Sequence, residues 1–213
     1  MNVGIIDYGV GNLGSVVRAL EELRVAPNLI TSPSEIDRNS CLILPGVGNF
    51  SECMKRLSDG GWPDAIKDSV ASGRPLLGIC LGMQLLASAG TEGPIDEPLS
   101  NTPGLDLIKG SVQRLDKLGC NFRVPHMGWN SINHCGTPNA LFAGIPDDTD
   151  FYFVHSYAFI TDNDEHLLAT TPYGIAVTAA VGAGCVWGTQ FHPEKSSRAG
   201  HRVLKNFLEI VAC

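Results

Sequence analysis

The chain contains seven cysteines, but no two of them form a C-x-x-C pair. With the odd count, neither a zinc site nor a complete disulfide framework follows. Positive charge is sparse: 15 Lys and Arg stand against 22 Asp and Glu, a net charge of -7. The basic residues are scattered, and phosphate binding needs them clustered, so no nucleic-acid role is expected. No basic n-region with an apolar h-region precedes the first strand-like run, Val3-Gly4-Ile5-Ile6, so no signal peptide is expected and a reducing cytoplasm fits best. Leu167 to Pro193 lacks charge altogether, yet Pro172 and several glycines break it, and it reads as successive strands rather than a membrane span. Neither a metal nor a cofactor is implied.

At 213 residues, with 44% hydrophobic and 17% charged side chains, the composition is that of one globular domain spanning 1–213. The first half alternates apolar runs with amphipathic stretches. Strands are expected at Val3 to Asp7, Asn28 to Thr31, Leu42 to Leu44 and Leu76 to Ile79. Helices are expected at Ser15 to Arg24, Ser51 to Leu57, Trp62 to Ala71 and Leu81 to Ala87. Such alternation specifies an α/β fold of three layers, a mostly parallel sheet covered on both faces. After Glu92 the pattern changes to strand-like pieces between Gly, Pro and Asn turns: Leu107 to Leu115, Phe151 to Phe159, Leu167 to Thr171, Ala176 to Val181 and Val186 to Phe191. This added portion is expected to be partly antiparallel, with a last helix, Arg198 to Val211, packed back on the sheet.

Gly9-Val10-Gly11-Asn12-Leu13-Gly14 follows a strand and opens a helix, matching the G-x-G-x-x-G dinucleotide fingerprint. The acid that would bind a ribose at the end of the second strand is missing, because Thr31 and Ser32 stand there and Glu35 comes too late. A tight strand-to-helix turn is the simpler reading, with a non-enzymatic dinucleotide-binding regulatory module as the alternative of another class.

Chemistry concentrates in two distant segments. In Pro75-Leu76-Leu77-Gly78-Ile79-Cys80-Leu81-Gly82-Met83-Gln84 an apolar strand turns between glycines into a helix, the geometry of a nucleophile elbow with sulfur in place of a hydroxyl. Cys80 then sits at a helix N-terminus, which favours a thiolate. In Gly188-Thr189-Gln190-Phe191-His192-Pro193-Glu194-Lys195 another strand ends in His192, with Glu194 just beyond, supplying a base and its orienter. Taken alone, Cys80 could be an inert core thiol and Glu194 a solvated charge; their joint occurrence carries the weight. The glycine loop Pro45-Gly46-Val47-Gly48 follows a neighbouring strand. Loops after adjacent parallel strands share one carboxyl edge, so the N–H groups of Val47, Gly48 and Leu81 are candidate oxyanion donors.

Cys80, His192 and Glu194 in this order resemble the triad of the class I glutamine amidotransferases, whose fold is a flavodoxin-like three-layer domain. The likeness narrows over Asp7 to Asn12, Pro45 to Gly48, Pro125-His126-Met127-Gly128-Trp129-Asn130, Phe151-Tyr152-Phe153-Val154-His155-Ser156-Tyr157 and Gln190 to Ser196. There the chain resembles the glutaminase subunits of imidazole glycerol phosphate synthase. The resemblance implies hydrolysis of glutamine to glutamate and ammonia, with Gln84 and Glu92 holding the amino-acid end of the substrate and backbone at Ser156 and Tyr157 completing its pocket. It also implies a heterodimer with a (β/α)8 cyclase barrel that receives the ammonia, Asn12, Trp129 and Lys195 facing that partner. Without it, Trp129 would read as core and Lys195 as solvent-exposed. An oxyanion loop around Val47 that is misoriented until the partner carries its ligand belongs to the same expectation. The segments Leu118 to Val124 and Leu141 to Pro146 resemble relatives that accompany a sugar amidotransferase in surface polysaccharide synthesis, so the acceptor stays open, with the histidine pathway first.

Overall fold

A computed structural model describes residues 1–93, 101–136 and 138–212. In chain order the strands are β1 Val3–Ile6, β2 Asn28–Ile30, β3 Cys41–Gly46, β4 Leu76–Cys80, β5 Ala89–Gly90, β6 Thr102–Pro103, β7 Gly110–Arg114, β8 His126–His134, β9 Thr149–His155, β10 Tyr157–Thr161, β11 Leu167–Pro172, β12 Ala176–Ala183 and β13 Val186–Thr189. The α-helices are α1 Leu13–Glu22, α2 Phe50–Asp59, α3 Trp62–Ala71, α4 Leu81–Gln84 and α5 Ser197–Ala212.

Nine strands form one sheet in the order β2-β1-β3-β4-β13-β12-β11-β8-β9. The block from β2 to β13 is parallel; from β13 through β9 each pairing is antiparallel. The expected α/β architecture, a central parallel sheet with an antiparallel extension, is what forms. A second sheet, β10-β7-β5-β6, has four strands.

The parallel strands are apolar on both faces because each face is covered. On one side Val16, Leu20, Leu204 and Phe207 of α1 and α5 cluster with Ile5, Ile43 and Ile79; on the other, Phe50, Leu57 and Ile66 of α2 and α3 cluster with Ile6, Leu42 and Leu44. Each such side chain, fully withdrawn from water, stabilises the fold by about 1.5–3 kcal/mol. No helix among the described residues is long and apolar enough to cross a membrane.

Three expectations need correction. The helix expected over Leu81 to Ala87 is only the single turn α4, after which the chain continues as buried turns that bond back to Leu81, Met83 and Gln84. The strand expected from Phe151 to Phe159 is broken at Ser156: β9 pairs with β8 in the large sheet, β10 with β7 in the small one. That break moves the chain between sheets beside the site. The stretch from Leu107 is strand only over β7, since Leu107 and Ile108 bond instead to the carbonyl of Leu86. A further strand, β8, occupies the run after Pro125, held by register with β9 rather than by its own apolar pattern.

Candidate active site

β4 lies between β3 and β13, with Gly46 opposite Cys80 and Thr189 opposite Ile79. The sheet thus brings the Val47 loop, the cysteine and the approach to His192 to one carboxyl edge. Cys80 adopts φ 55° and ψ -112°, outside the regions a non-glycine residue prefers, a conformation worth about 1–3 kcal/mol of strain. What holds it there is a glycine contact. A Cβ on Gly82 would strike the carbonyl oxygen of Leu44, one on Gly46 would stand 2.6 Å from the Gly82 nitrogen, and one on Gly78 would stand 2.7 Å from the Gly82 oxygen. Only three bare backbones allow α4 to turn this close over β3 and β4, leaving Cys80 at the tip, 6% exposed.

His192 is fixed by its main chain. Its N–H donates to the Tyr152 carbonyl (3.0 Å), and Ser196 Oγ donates to the His192 carbonyl (2.6 Å) while accepting from Tyr152 N (3.0 Å). The short turn Pro193–Lys195 then returns Glu194 so that its Oε1 lies 2.7 Å from His192 Nδ1, both side chains at most 3% exposed. Burial works against charge on the ring, but hydrogen bonds with Cys80 and Glu194 and their attraction outweigh it, raising the His192 pKa to about 9. Among the described residues Glu194 Oε2 has no protein partner, so the bond to the imidazole is the carboxylate's one anchor. Such a set can hold a thiolate beside an imidazolium and orient the ring that moves the proton.

A cavity of about 340 Å³ opens over these residues. Cys80, His192, Val47, Gly48, Leu81, Gln84, Glu92, Ser156, Tyr157 and Lys195 all line it; of the anticipated site residues, Asn12, Trp129 and Glu194 do not. Glu194 lies behind His192. Trp129 is 54% exposed on β8 beside Met127 at 62%, so its reading as core fails, while Lys195 is exposed yet reaches the cavity rim. Glu92 Oε2 accepts from the first helical N–H of α2, Phe50 (2.9 Å), and burial raises its carboxyl above the usual range. Gln84, 3% exposed, donates through Nε2 to the Tyr157 carbonyl (3.0 Å) and to Gln190 Oε1 (2.8 Å). With both amide hydrogens engaged, Gln84 has only Oε1 to offer a ligand, an acceptor suited to an ammonium.

Three polar residues here were not singled out from sequence: His126, His155 and Gln190. Only His155 carries a signal in the sequence, a polar side chain closing the apolar run Phe151 to Val154; His126 opens a strand of mixed polarity and Gln190 follows the end of β13. His155 lines the cavity, and its Nδ1 faces the Tyr157 carbonyl at 2.8 Å. A carbonyl only accepts, so Nδ1 carries the proton and Nε2 accepts from His126 Nδ1 (3.0 Å); His126 Nε2 in turn accepts from Asn130 Nδ2 (3.3 Å). Burial lowers the pKa of His126 to about 4 and of His155 to about 3, leaving both neutral. The Gly9 turn closes on itself, Gly9 N–H donating to Asp7 Oδ1 (3.0 Å).

The family model for glutamine amidotransferase class-I matches residues 4–211. The imidazole glycerol phosphate synthase subunit HisH of Moorella thermoacetica is 47% identical over 98% of this chain and 95% of its own. Subunit HisH 1 of Prochlorococcus marinus is likewise 47% identical, over 98% and 97%. Among solved structures, PurLQS from Thermotoga maritima superposes with a TM-score of 0.76 over 99% of this chain and 98% of that one, at 16% identity. A glutamine amidotransferase crystal structure gives 0.75 over 99% of each chain at 21% identity. At these identities the two structures speak for the fold alone.

Proposed function

The chain belongs to the class-I glutamine amidotransferases, and from that premise we propose that it is the glutaminase subunit of an imidazole glycerol phosphate synthase. Residues 1–213 act in this reading as one amidotransferase unit. Its reaction is hydrolysis of glutamine to glutamate and ammonia. The observation that carries the chemistry is a buried Cys80–His192–Glu194 set opening into a 340 Å³ cavity at the sheet's carboxyl edge. The pathway is supported by 47% identity along almost the whole length to proteins named as subunits of that synthase.

The substrate's ammonium lies between Glu92 and Gln84 Oε1, its carboxylate against backbone at Ser156 and Tyr157. His192 takes the proton of the Cys80 thiol, and the sulfur attacks the side-chain amide carbon. N–H groups of Val47, Gly48 and Leu81 meet the charge that develops on oxygen. The imidazolium gives its proton to the departing nitrogen, so ammonia leaves and a glutamyl thioester remains. Water deprotonated by His192 cleaves the thioester, releasing glutamate and restoring the thiol, with Glu194 holding the imidazole throughout.

Ammonia must reach its acceptor before water protonates it, and a (β/α)8 barrel needs about 250 residues of its own. Because the relatives are named as subunits of a synthase, the acceptor site in this reading is on a second chain, a cyclase barrel in a cytoplasmic heterodimer. Asn12, Trp129 and Lys195 face it: all are exposed, and a bare tryptophan is a typical anchor for a partner. Gly48, at φ 96°, gives the oxyanion loop freedom to turn once the barrel carries its ligand. The test is glutamate release with the cyclase and its nucleotide ligand, run beside a sugar amidotransferase system. Stimulation by the cyclase is expected, and Cys80→Ala should abolish glutamine-dependent but not ammonia-dependent synthesis. Stimulation by the sugar system alone would refute the histidine-pathway assignment.

A further inference from the structure

Gln190 is fully buried, and nothing in the steps above uses it. Its amide orientation is nevertheless determined. The Tyr157 carbonyl can only accept, so Gln84 must turn Nε2 toward it (3.0 Å), and that same nitrogen lies 2.8 Å from the Gln190 side chain, which must present its oxygen. Gln190 Nε2 is then left facing Cys80 Sγ at 3.8 Å. The carbonyl oxygen of Val154 also stands 3.8 Å from the sulfur. That oxygen accepts from a thiol but repels a thiolate.

Building on the glutaminase reading, we propose that Gln190 is a catalytic hydrogen-bond donor to the Cys80 thiolate, its direction imposed by the Tyr157 carbonyl through Gln84. Imidazolium and amide play different parts: His192 supplies the opposite charge, Gln190 a fixed dipole that offsets the Val154 carbonyl. Hydrogen bonds to a charged group are among the stronger ones inside proteins, and loss of one shifts the thiol–thiolate balance about tenfold. The arrangement also ties substrate to nucleophile, since Gln84, whose free oxygen faces the cavity, is the residue that orients the donor.

Alkylation of Cys80 by iodoacetamide reads this directly, because the thiolate sulfur forms a C–S bond as iodide departs. The rate is measured on the full chain by peptide mass spectrometry, which separates Cys80 from the other cysteines. Gln190→Met removes donor and acceptor at nearly constant shape, while Gln84→Met leaves the Gln190 amide in place. The other titratable groups around the sulfur are His192 with Glu194, His155, Glu92 and Lys195 about the cavity, and Tyr8 from the β1 side; they are untouched in both variants. For Gln190→Met, alkylation about tenfold slower at pH 7 is expected, with the gap closing in strong alkali where every thiol is ionised. Gln84→Met keeps the donor but no longer fixes its direction, so it should slow alkylation by a clearly smaller factor while raising KM for glutamine in the complex, whereas Gln190→Met lowers kcat. An unchanged alkylation rate in Gln190→Met overturns the proposal, and so does equal slowing in both variants, which general loosening would give. Should Gln190→Met not melt cooperatively, Gln190→Asn withdraws the donor by one methylene and carries the same expectation. Because alkylation needs no glutamine, failure of the glutaminase reading would appear separately, as absent hydrolysis beside an intact Gln190 effect.

Discussion

Glu194→Gln removes one charge and almost no volume from a side chain that is 1% exposed, so the fold should survive and the chemistry should not. Its Oε1 accepts from His192 Nδ1 at 2.7 Å, and a charge-assisted bond of this kind is worth about 1.5–3 kcal/mol. Lost from the protonated ring alone, that amount brings the imidazole from about 9 to roughly 7–8. A glutamine can also present its NH2 to the ring and impose the wrong tautomer. Together these effects should lower glutamine hydrolysis by the partner complex about 10²–10⁴-fold, with ammonia-dependent synthesis retained. The stability profile gives a second reading. The folded His192 pKa, about 9, exceeds the ordinary 6.5, so this group's stabilisation is fully present below pH 6.5 and lost as pH rises through about 9. Glu194→Gln should flatten that alkaline limb. Hydrolysis within threefold of the unmodified protein, with the imidazole titrating where it did before in nitrogen NMR, would refute the assigned role.

The neutral pair His126 and His155 makes the opposite prediction. Their folded pKa values, about 4 and about 3, lie below the ordinary 6.5. Their contribution is therefore present above pH 6.5 and lost as pH falls, about 2 kcal/mol for each by pH 5. Urea midpoints should drop between pH 7 and pH 5, and less so in His126→Phe; a flat profile would show that the pair does not stay neutral. Gly82→Ala places a methyl group on the Leu44 carbonyl oxygen and should destabilise by about 3 kcal/mol in urea unfolding while slowing Cys80 alkylation. Trp129→Ala, at a side chain 54% exposed, should leave folding stability within about 0.5 kcal/mol. It should weaken binding of the cyclase barrel about 30-fold or more in calorimetric titration, and undiminished affinity would remove Trp129 from the interface.

What was legible in the chain follows physical locality. The elbow could be read because Gly78 and Gly82 flank Cys80 at fixed spacing, and the same glycines are the ones whose Cβ atoms would strike backbone. His192 and Glu194 could be paired because one proline turn separates them. The length of α4 could not, since Leu81 to Ala87 is buried throughout, the polar Gln84 included, so the run shows no period that tells helix from turn. Nor could the break at Ser156, where apolar residues continue on both sides and only pairing with two different sheets divides them. β8 was hidden by Gly128 and Asn130, poor strand formers that a long antiparallel register with β9 holds extended. Trp129 could be placed on the surface only through the family resemblance, because composition says nothing of which face a strand turns outward.

Two histidines share one cavity, and their opposite charge states show how the site is built. His192 is 2% exposed and His155 6%, so burial disfavours charge on both. The difference lies in what each can lean on. His192 has a carboxylate on Nδ1 and sulfur within reach, and is driven up to about 9; His155 has a backbone carbonyl on Nδ1 and another histidine on Nε2, and falls to about 3. Charge on either ring works against charge on the other, since the two repel. Keeping His155 neutral is thus part of keeping His192 protonated, and what fixes the tautomer of His155 is the Tyr157 carbonyl. That carbonyl also orients Gln84, and through it Gln190. The break at Ser156, which places the Tyr157 carbonyl against Gln84 and His155, is therefore as much a part of how the cavity is built as the strained backbone at Cys80.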